Sequence, residues 1–131
     1  MLELRFSSGA KRLAAMGLAV ARECRRTTSD AQHADGVAWL AVRLAEQAAG
    51  RRRADLLVIV TPHSDVTTLM VRVTGAAGTG LGADLRELLD ERTLRWSTMS
   101  SREGRTVLAE VPHAPVEDCP RPRELAAATT G

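Results

Sequence analysis

A short, continuous apolar run places the strongest constraint on how this chain folds. Residues 55–61 (DLLVIVT) contain several β-branched side chains and end at Pro62, as expected of a central strand buried on both faces. After the turn PHSDV, residues 67–74 (TTLMVRVT) alternate and predict a second strand, so the two segments form a hairpin. A central strand needs further strands and helices around it, and the rest of the sequence supplies them.

Two amphipathic helices precede this hairpin. The first follows Ser7–Ser8, either of which can cap it, and runs to about Arg26. The second follows a polar break at residues 27–36 and runs to about Ala49, with Gly50 as its C-cap. Each helix has an apolar stripe at helical spacing: Leu13, Met16, Gly17, Val20, Ala21 and Cys24 in the first, and Val37, Leu40, Ala41, Leu44 and Ala48 in the second.

The remaining segments complete the order of elements. Residues 2–6 alternate as a half-buried strand, and the glycine-rich residues 75–82 lead into a helix that ends near Glu91. Residues 93–99 and 105–111 predict a closing hairpin. The order β-α-α-β-β-α-β-β predicts an α+β fold: a two-layer sandwich with a mostly antiparallel mixed sheet and helices on one face.

Length and composition agree with one domain. The 131 residues are 44% hydrophobic and carry a net charge of +2, which is too small to argue for a nucleic-acid partner. We expect a single domain over residues 1–112 and a flexible, Pro-rich tail over residues 113–131.

The expected location follows from three further features. No apolar stretch has the roughly 18–20 residues of a membrane helix, and residues 1–12 lack the apolar segment of a signal peptide. Cys24 and Cys119 belong to no metal-binding or redox motif, so they are expected to be free thiols in a reducing compartment. These features predict a cytoplasmic protein.

Two segments resemble a known family. Residues 78–112 (GTGLGADLRELLDERTLRWSTMSSREGRTVLAEVP) match a glycine box that opens a helix and is followed by a hairpin ending in Pro. Residues 37–49 (VAWLAVRLAEQAA) match the helix that binds the nucleotide in that family. Together with the order of elements, they resemble the Bergerat (GHKL) ATPase fold over residues 2–112. The closest form is the short, single-domain one of bacterial anti-sigma-factor serine kinases, which implies a Bergerat-like fold.

The chain departs from this family at the residues that would bind Mg²⁺ and ATP. Alignment by the apolar stripe places Leu44 where the family has its Glu, and Ala48 where it has the Asn that holds Mg²⁺. The chain contains no Asn, and neither Leu nor Ala offers an oxygen ligand to a hard cation. Gln47, the only amide of the segment, is expected on a different face of the helix. Thr74 stands where the family has the Asp that binds adenine.

Only the last glycine box is retained, and its residues are the candidate cofactor-binding site. Gly78, Thr79, Gly80 and Gly82 precede a predicted helix, whose free backbone amides can hold a phosphate. A flexible loop without a ligand is the alternative for these residues. They also match the G-x-G-x-x-A dinucleotide motif, although the βαβ repeats and the acidic residue that such a site needs are missing.

Other polar and aromatic features have both a structural and a functional interpretation. Two H-x-D segments, at residues 33–35 and 63–65, could form a zinc site with His113. The alternative is that the aspartates act as caps and the histidines lie in solvent, which requires no metal. Arg51–Arg53 could bind phosphates, or lie in solvent past a helix end. The two tryptophans, Trp39 and Trp96, are expected in the core, and either would become a partner-binding anchor if exposed.

The functional expectation is a regulatory domain with a degenerate Bergerat fold that binds another protein, such as a sigma factor or an anti-sigma antagonist. We assign it no catalytic residue and no metal, and ATP with Mg²⁺ is an unfavoured cofactor. Binding would occlude the partner through the outer face of the helices or the open sheet edge, where residues 2–6 are a candidate edge or dimer strand. One alternative is an ATP-dependent anti-sigma serine kinase that uses residues 78–82. A second is a structural homodimer within a larger complex.

Overall fold

The computed structural model describes residues 1–50, 54–74, 81–102 and 104–114. Within these ranges the chain forms five strands and three helices in the predicted order. The elements are β1 (Leu2–Ser7), α1 (Ala10–Arg25), α2 (Ala31–Ala49), β2 (Asp55–Pro62), β3 (Val66–Thr74), α3 (Ala83–Arg92), β4 (Arg95–Ser101) and β5 (Gly104–Pro112).

The strands form one sheet in the order β1-β2-β3-β5-β4. Each neighbouring pair is antiparallel, which confirms the predicted α+β architecture and both predicted hairpins. The prediction of a mixed sheet was wrong for the described strands, because none of their pairings is parallel. β1 lies at one edge of the sheet and β4 at the other, so residues 2–6 form the predicted edge strand.

The three helices cover one face of the sheet, and the core lies between the two layers. In β3, Leu69, Val71 and Val73 are at most 2% exposed and belong to this core. The intervening Met70 and Arg72 are half-buried, because successive side chains of a strand point to opposite faces. The sheet therefore has a face that packs on the helices and a second face that no described helix covers.

The start of α1 differs from the prediction. Gly9 occupies the N-cap position, and no side chain caps the helix. The Oγ of Ser8 instead accepts a hydrogen bond from the N–H of Ala54 at 2.9 Å, and the Ser8 N–H donates to the Ala54 carbonyl oxygen at 2.8 Å. Ser8 therefore joins the end of β1 to the residue before β2.

α2 begins earlier than its apolar stripe suggests. The Asp30 side chain accepts hydrogen bonds from the N–H groups of Gln32 and His33, so the helix starts within the predicted polar break. Its end agrees with the prediction, since Gly50 follows the last helical residue. Gly50 has φ +60°, a backbone conformation that favours glycine.

Candidate functional site

A pocket of about 440 Å³ lies between the last turns of α2 and the start of α3. Arg43, Glu46 and Gln47 line it from α2, and residues 82–85 line it from α3. The three α2 residues are spaced i, i+3 and i+4, so they share one side of the helix. The pocket is thus built from two elements of the segments that carry the family resemblance.

Gly82 is the predicted site residue that the structure describes. It is the N-cap of α3 and lines the pocket. A Cβ at this position would lie 2.7 Å from Nε2 of Gln47, so a larger residue would have to displace that amide. Gly78, Thr79 and Gly80 lie outside the described residues. Their role in binding phosphate stays a prediction.

The residues that the resemblance aligns with the ligands of Bergerat ATPases do not fit a Mg²⁺–ATP site. Leu44 is 1% exposed and belongs to the hydrophobic core. Ala48 is partly buried and packs against the same core. Neither supplies an oxygen ligand, which Mg²⁺ requires. Thr74 ends β3 with an exposed side chain that carries no charge.

Gln47 is the site residue that sequence reasoning missed. It was expected to face away from the nucleotide-binding side, but it lies in the pocket beside Gly82. The apolar stripe identifies the residues that face the sheet, whereas a pocket between two helices is lined by residues beside that stripe. The signal was present as three polar residues, Arg43, Glu46 and Gln47, within two turns of an otherwise apolar segment.

The charges around the pocket are mixed. Arg43 Nη1 lies 3.7 Å from Glu46 Oε2, with both side chains about half exposed. Exposed ion pairs of this kind contribute little to stability, so both groups can reorient toward a ligand. Asp84 adds a second carboxylate in the first turn of α3, where it interacts favourably with the helix dipole. The described lining has one cation and two anions, which disfavours a polyphosphate and suits a polar ligand that donates hydrogen bonds.

The histidines do not form the zinc site considered from the sequence. His33 lies in the first turn of α2 and is 7% exposed, with its ring centroid 3.9 Å from that of His113. Its Nε2 is 2.9 Å from Oγ1 of Thr67. Asp35 is exposed and pairs with Arg25 at 3.2 Å. In the described ranges, no group of three or more His, Cys, Asp or Glu residues is placed to hold a metal ion.

These side chains belong instead to a buried polar cluster of Cys24, His33, Thr67 and His113. Burial raises the pKa of the Cys24 thiol to about 11, so the thiol is protonated at neutral pH. Burial, together with the neighbouring His113, lowers the pKa of His33. The cluster joins α1, α2, β3 and the residue that follows β5. We interpret it as a structural contact between the two layers.

The two tryptophans differ in environment. Trp96 packs against the core, as predicted, and its Nε1 donates to Asp90 Oδ1 at 2.8 Å. Trp39 is 44% exposed, so the prediction that it lies in the core was wrong. The guanidinium of Arg92 lies 5.2 Å from the centroid of the Trp39 ring, a cation–π arrangement that joins α2 to the end of α3. Trp39 is thus the aromatic residue available as an anchor.

The sequence matches no protein-family model, and a search of curated proteins finds none similar to it. None of the described helices is both long and apolar enough to cross a membrane. Arg51–Arg53 and Cys119 lie outside the described residues, so their predicted roles stay predictions. The same holds for the tail beyond residue 114.

Proposed function

We propose that this chain is a cytoplasmic regulatory module with a degenerate Bergerat-like ATPase fold, which binds another protein in transcriptional regulation. The family resemblance suggests a sigma factor or an anti-sigma antagonist as the partner. The burial of Leu44 carries the proposal. The order of elements agrees with the resembled family, but the position of the family's nucleotide-binding Glu has become part of the core.

The mechanism would be steric occlusion by the helical layer. Leu18 of α1 is 70% exposed and Trp39 of α2 is 44% exposed, which makes them the large apolar side chains available on the described helices. The guanidinium of Arg92 lies over one face of the Trp39 ring. Tryptophan and arginine are enriched among residues that dominate binding energy at interfaces. We therefore assign Trp39 and Arg92 as the centre of the partner-binding surface.

The test is direct binding of the purified chain to purified sigma factors and anti-sigma antagonists of its source cell. Titration calorimetry of Trp39→Ala should show binding at least about 30-fold weaker, as expected of an interface hot spot. Met99→Ala is the matched control, because Met99 is also exposed but lies on β4, in the sheet. If no such protein binds the unmodified chain, the proposed function is wrong. Equal binding by Trp39→Ala would refute the assignment of the surface.

A serine kinase that binds ATP is the second candidate. The position of the pocket at the start of α3 supports it, whereas the charges of the described lining do not. The distinguishing measurement is the melting temperature with and without saturating Mg²⁺–ATP. A ligand at about 100 times its Kd adds roughly 2.7 kcal/mol, which shifts the melting temperature of a small domain by several degrees. No shift with ATP, ADP or GTP agrees with the regulatory module. A shift that is lost in Gly80→Val would support the kinase instead.

A further inference from the structure

A groove runs along the helical layer between α2 and α3, and we call it the α2–α3 groove. At one end, the Trp39 end, the Arg92 guanidinium lies 5.2 Å from the centroid of the Trp39 ring. At the other, the pocket end, Gln47 lies beside Gly82. Leu88 of α3 is one turn before Arg92 and packs against the core, so it contributes apolar surface between the two ends. The distance from Trp39 to Gln47 along α2 is about 12 Å.

The two ends of the groove carry opposite charge. Arg92 supplies a guanidinium at the Trp39 end. At the pocket end, Glu46 and Asp84 supply two carboxylates, and Arg43 lies 3.7 Å from the first of them. These two anions and one cation leave the pocket lining with a net negative charge. A ligand that fits the whole groove is therefore acidic where it meets the Trp39 end and basic where it meets the pocket end.

The chain itself has a segment that starts beside the Trp39 end. Residues 115–123 (PVEDCPRPR) follow directly on the described residues that end β5. The last ordered contacts before this segment are made by His113, whose N–H donates to the Asp65 carbonyl oxygen at 3.0 Å and whose ring packs on that of His33. His33 lies in the first turn of α2, and Trp39 is about 9 Å further along the same helix. The segment thus begins at the end of the groove that carries the tryptophan.

The charges of the segment occur in the order that the groove requires. Glu117 and Asp118 come first along the chain, and Arg121 and Arg123 follow. A chain that enters at the Trp39 end therefore presents its acidic pair to the guanidinium there and its basic pair to the carboxylates of the pocket end. Opposite charges meet at both ends, whereas the reverse direction would bring like charges together.

The segment is also long enough to span the groove. Glu46 lies about 20 Å beyond His33 along α2. Arg121 follows His113 by eight residues, and the three prolines of the segment favour an extended chain, in which eight residues span about 25 Å. The difference of about 5 Å allows the chain to pass from the edge of the core to the outside of the helices.

We propose that residues 115–123 bind in the α2–α3 groove of the same chain and cover Trp39. Proline-rich segments bind to grooves that present aromatic rings, because an extended proline chain loses little conformational entropy on binding. The contact requires no other protein. Under the proposed function it occupies the partner-binding surface, so a partner has to displace the segment before it can bind.

Cys119 provides the probe for this contact, because it lies between the acidic and the basic pair. It is about 19 Å beyond His113 in an extended chain, while Arg43 is about 15 Å beyond His33 along α2, so the two should lie close together. In the full chain, Arg43→Cys should form an intramolecular disulfide with Cys119 on mild oxidation, measured by mass and by free thiols. The control is Leu18→Cys on the exposed side of α1, which should react at least about 10-fold more slowly. The buried Cys24 is the same in both variants.

A charge exchange separates a specific contact from a disturbed fold. Arg121→Glu with Arg123→Glu, added to the Arg43→Cys chain, should slow disulfide formation to the rate of the Leu18→Cys control. Adding Glu46→Arg and Asp84→Arg to that chain should restore the fast rate, because the two ends of each pair are then opposite in charge again. A variant that has merely lost its structure would not be restored by further substitutions.

Fluorescence of Trp39 keeps the test decisive if the cysteine variants do not fold. Trp96→Phe leaves Trp39 as the only tryptophan of the chain, and acrylamide should quench it more strongly once Arg121 and Arg123 are replaced by Glu. Equal disulfide rates at positions 43 and 18, or a rate that the charge reversal does not change, would overturn the proposal. So would a disulfide that forms only between two copies, because the segment would then bind to another molecule. None of these measurements includes a partner protein, so their outcome is independent of the proposed function.

Discussion

Replacement of Leu44 tests most directly whether the position that the resemblance aligns with the Glu of Bergerat ATPases is part of the core. The side chain is 1% exposed and has its place in the continuous core cluster. Leu44→Ala removes three buried carbon atoms and leaves a cavity, which costs about 2–5 kcal/mol. We expect about 3 kcal/mol, because neighbouring positions in the helix are small alanines that cannot fill the space. For a domain of about 112–131 residues the melting temperature should fall by roughly 11–13 °C, because the entropy of unfolding is about 2.1 cal/mol/K per residue.

Leu44→Glu should be more damaging than Leu44→Ala, because it places a carboxylate without a partner in the same space. Thermal and urea unfolding followed by circular dichroism measure both changes, and Leu44→Met is the volume-matched control, with an expected cost below about 1.5 kcal/mol. The reasoning is refuted if Leu44→Glu unfolds within about 1 kcal/mol of the unmodified chain. It is equally refuted if the double variant Leu44→Glu, Ala48→Asn gains a melting-temperature shift with Mg²⁺–ATP. The first result would show that position 44 accepts a charge, and the second that it faces a ligand site.

Three further predictions concern the buried polar cluster and the closing hairpin. The pKa of His33 is lower in the folded chain than in the unfolded chain, so the unfolded chain binds protons more readily. The free energy of unfolding should therefore be at its full value above about pH 6.5 and decrease below that pH. Urea midpoints measured against pH should show this decrease, and the decrease should be smaller in His33→Gln. Cys24, with its pKa raised to about 11, should react with a thiol reagent only on unfolding, which a Cys119→Ser background can report. Gly104 has φ +135°, and a Cβ at this position would collide with the Val73 carbonyl oxygen. Gly104→Ala should therefore lower the free energy of unfolding in urea by more than about 3 kcal/mol. The control Gly36→Ala should be tolerated, because no atom lies within 4 Å of the added Cβ.

The order of elements could be predicted from the sequence because each segment has one clear period. Residues 55–61 are apolar throughout and form β2, while residues 67–74 alternate and form most of β3. The apolar stripe of α2 could also be predicted, since Leu40 and Leu44, both assigned to it, are each 1% exposed. The pairing of β2 with β3 and of β4 with β5 could also be predicted, because two strands joined by a short turn pair as an antiparallel hairpin. The purely antiparallel sheet could not be deduced, because the place of β1 depends on long-range packing.

Helix ends were harder to predict, because single hydrogen bonds decide them. The start of α2 depends on the Asp30 carboxylate, which accepts two backbone N–H groups. A capping aspartate was visible in the sequence, but the following residues, 31–36, have too few apolar side chains to show a helical period. Ser8 had the chemistry of a cap as well. Its hydroxyl bonds to Ala54 instead, a partner 46 residues away that no local rule can identify.

Side chains at the border of the apolar stripe were the hardest to place. Trp39 and Gln47 both flank the stripe of α2, and sequence reasoning assigned one to the core and the other away from the site. Both in fact contact α3, at its end and its beginning respectively, because α2 and α3 lie side by side. A hydrophobic pattern shows which residues face the sheet, but it contains no information on which neighbouring helix lies beside them.

The burial of Leu44 also bears on how stability would change under the proposed function. A fully buried leucine stabilises a protein by about 1.5–3 kcal/mol relative to an exposed one, whereas a carboxylate at the same place would need a cation or a hydrogen-bond donor to offset its desolvation. Under the proposed function, the chain therefore gains stability at the position where the resembled kinases carry a functional group. Natural selection would then act on the partner-binding surface instead of on the residues that line the pocket. Substitutions at the exposed Trp39 should accordingly weaken partner binding without the loss of stability that is expected of substitutions at the buried Leu44.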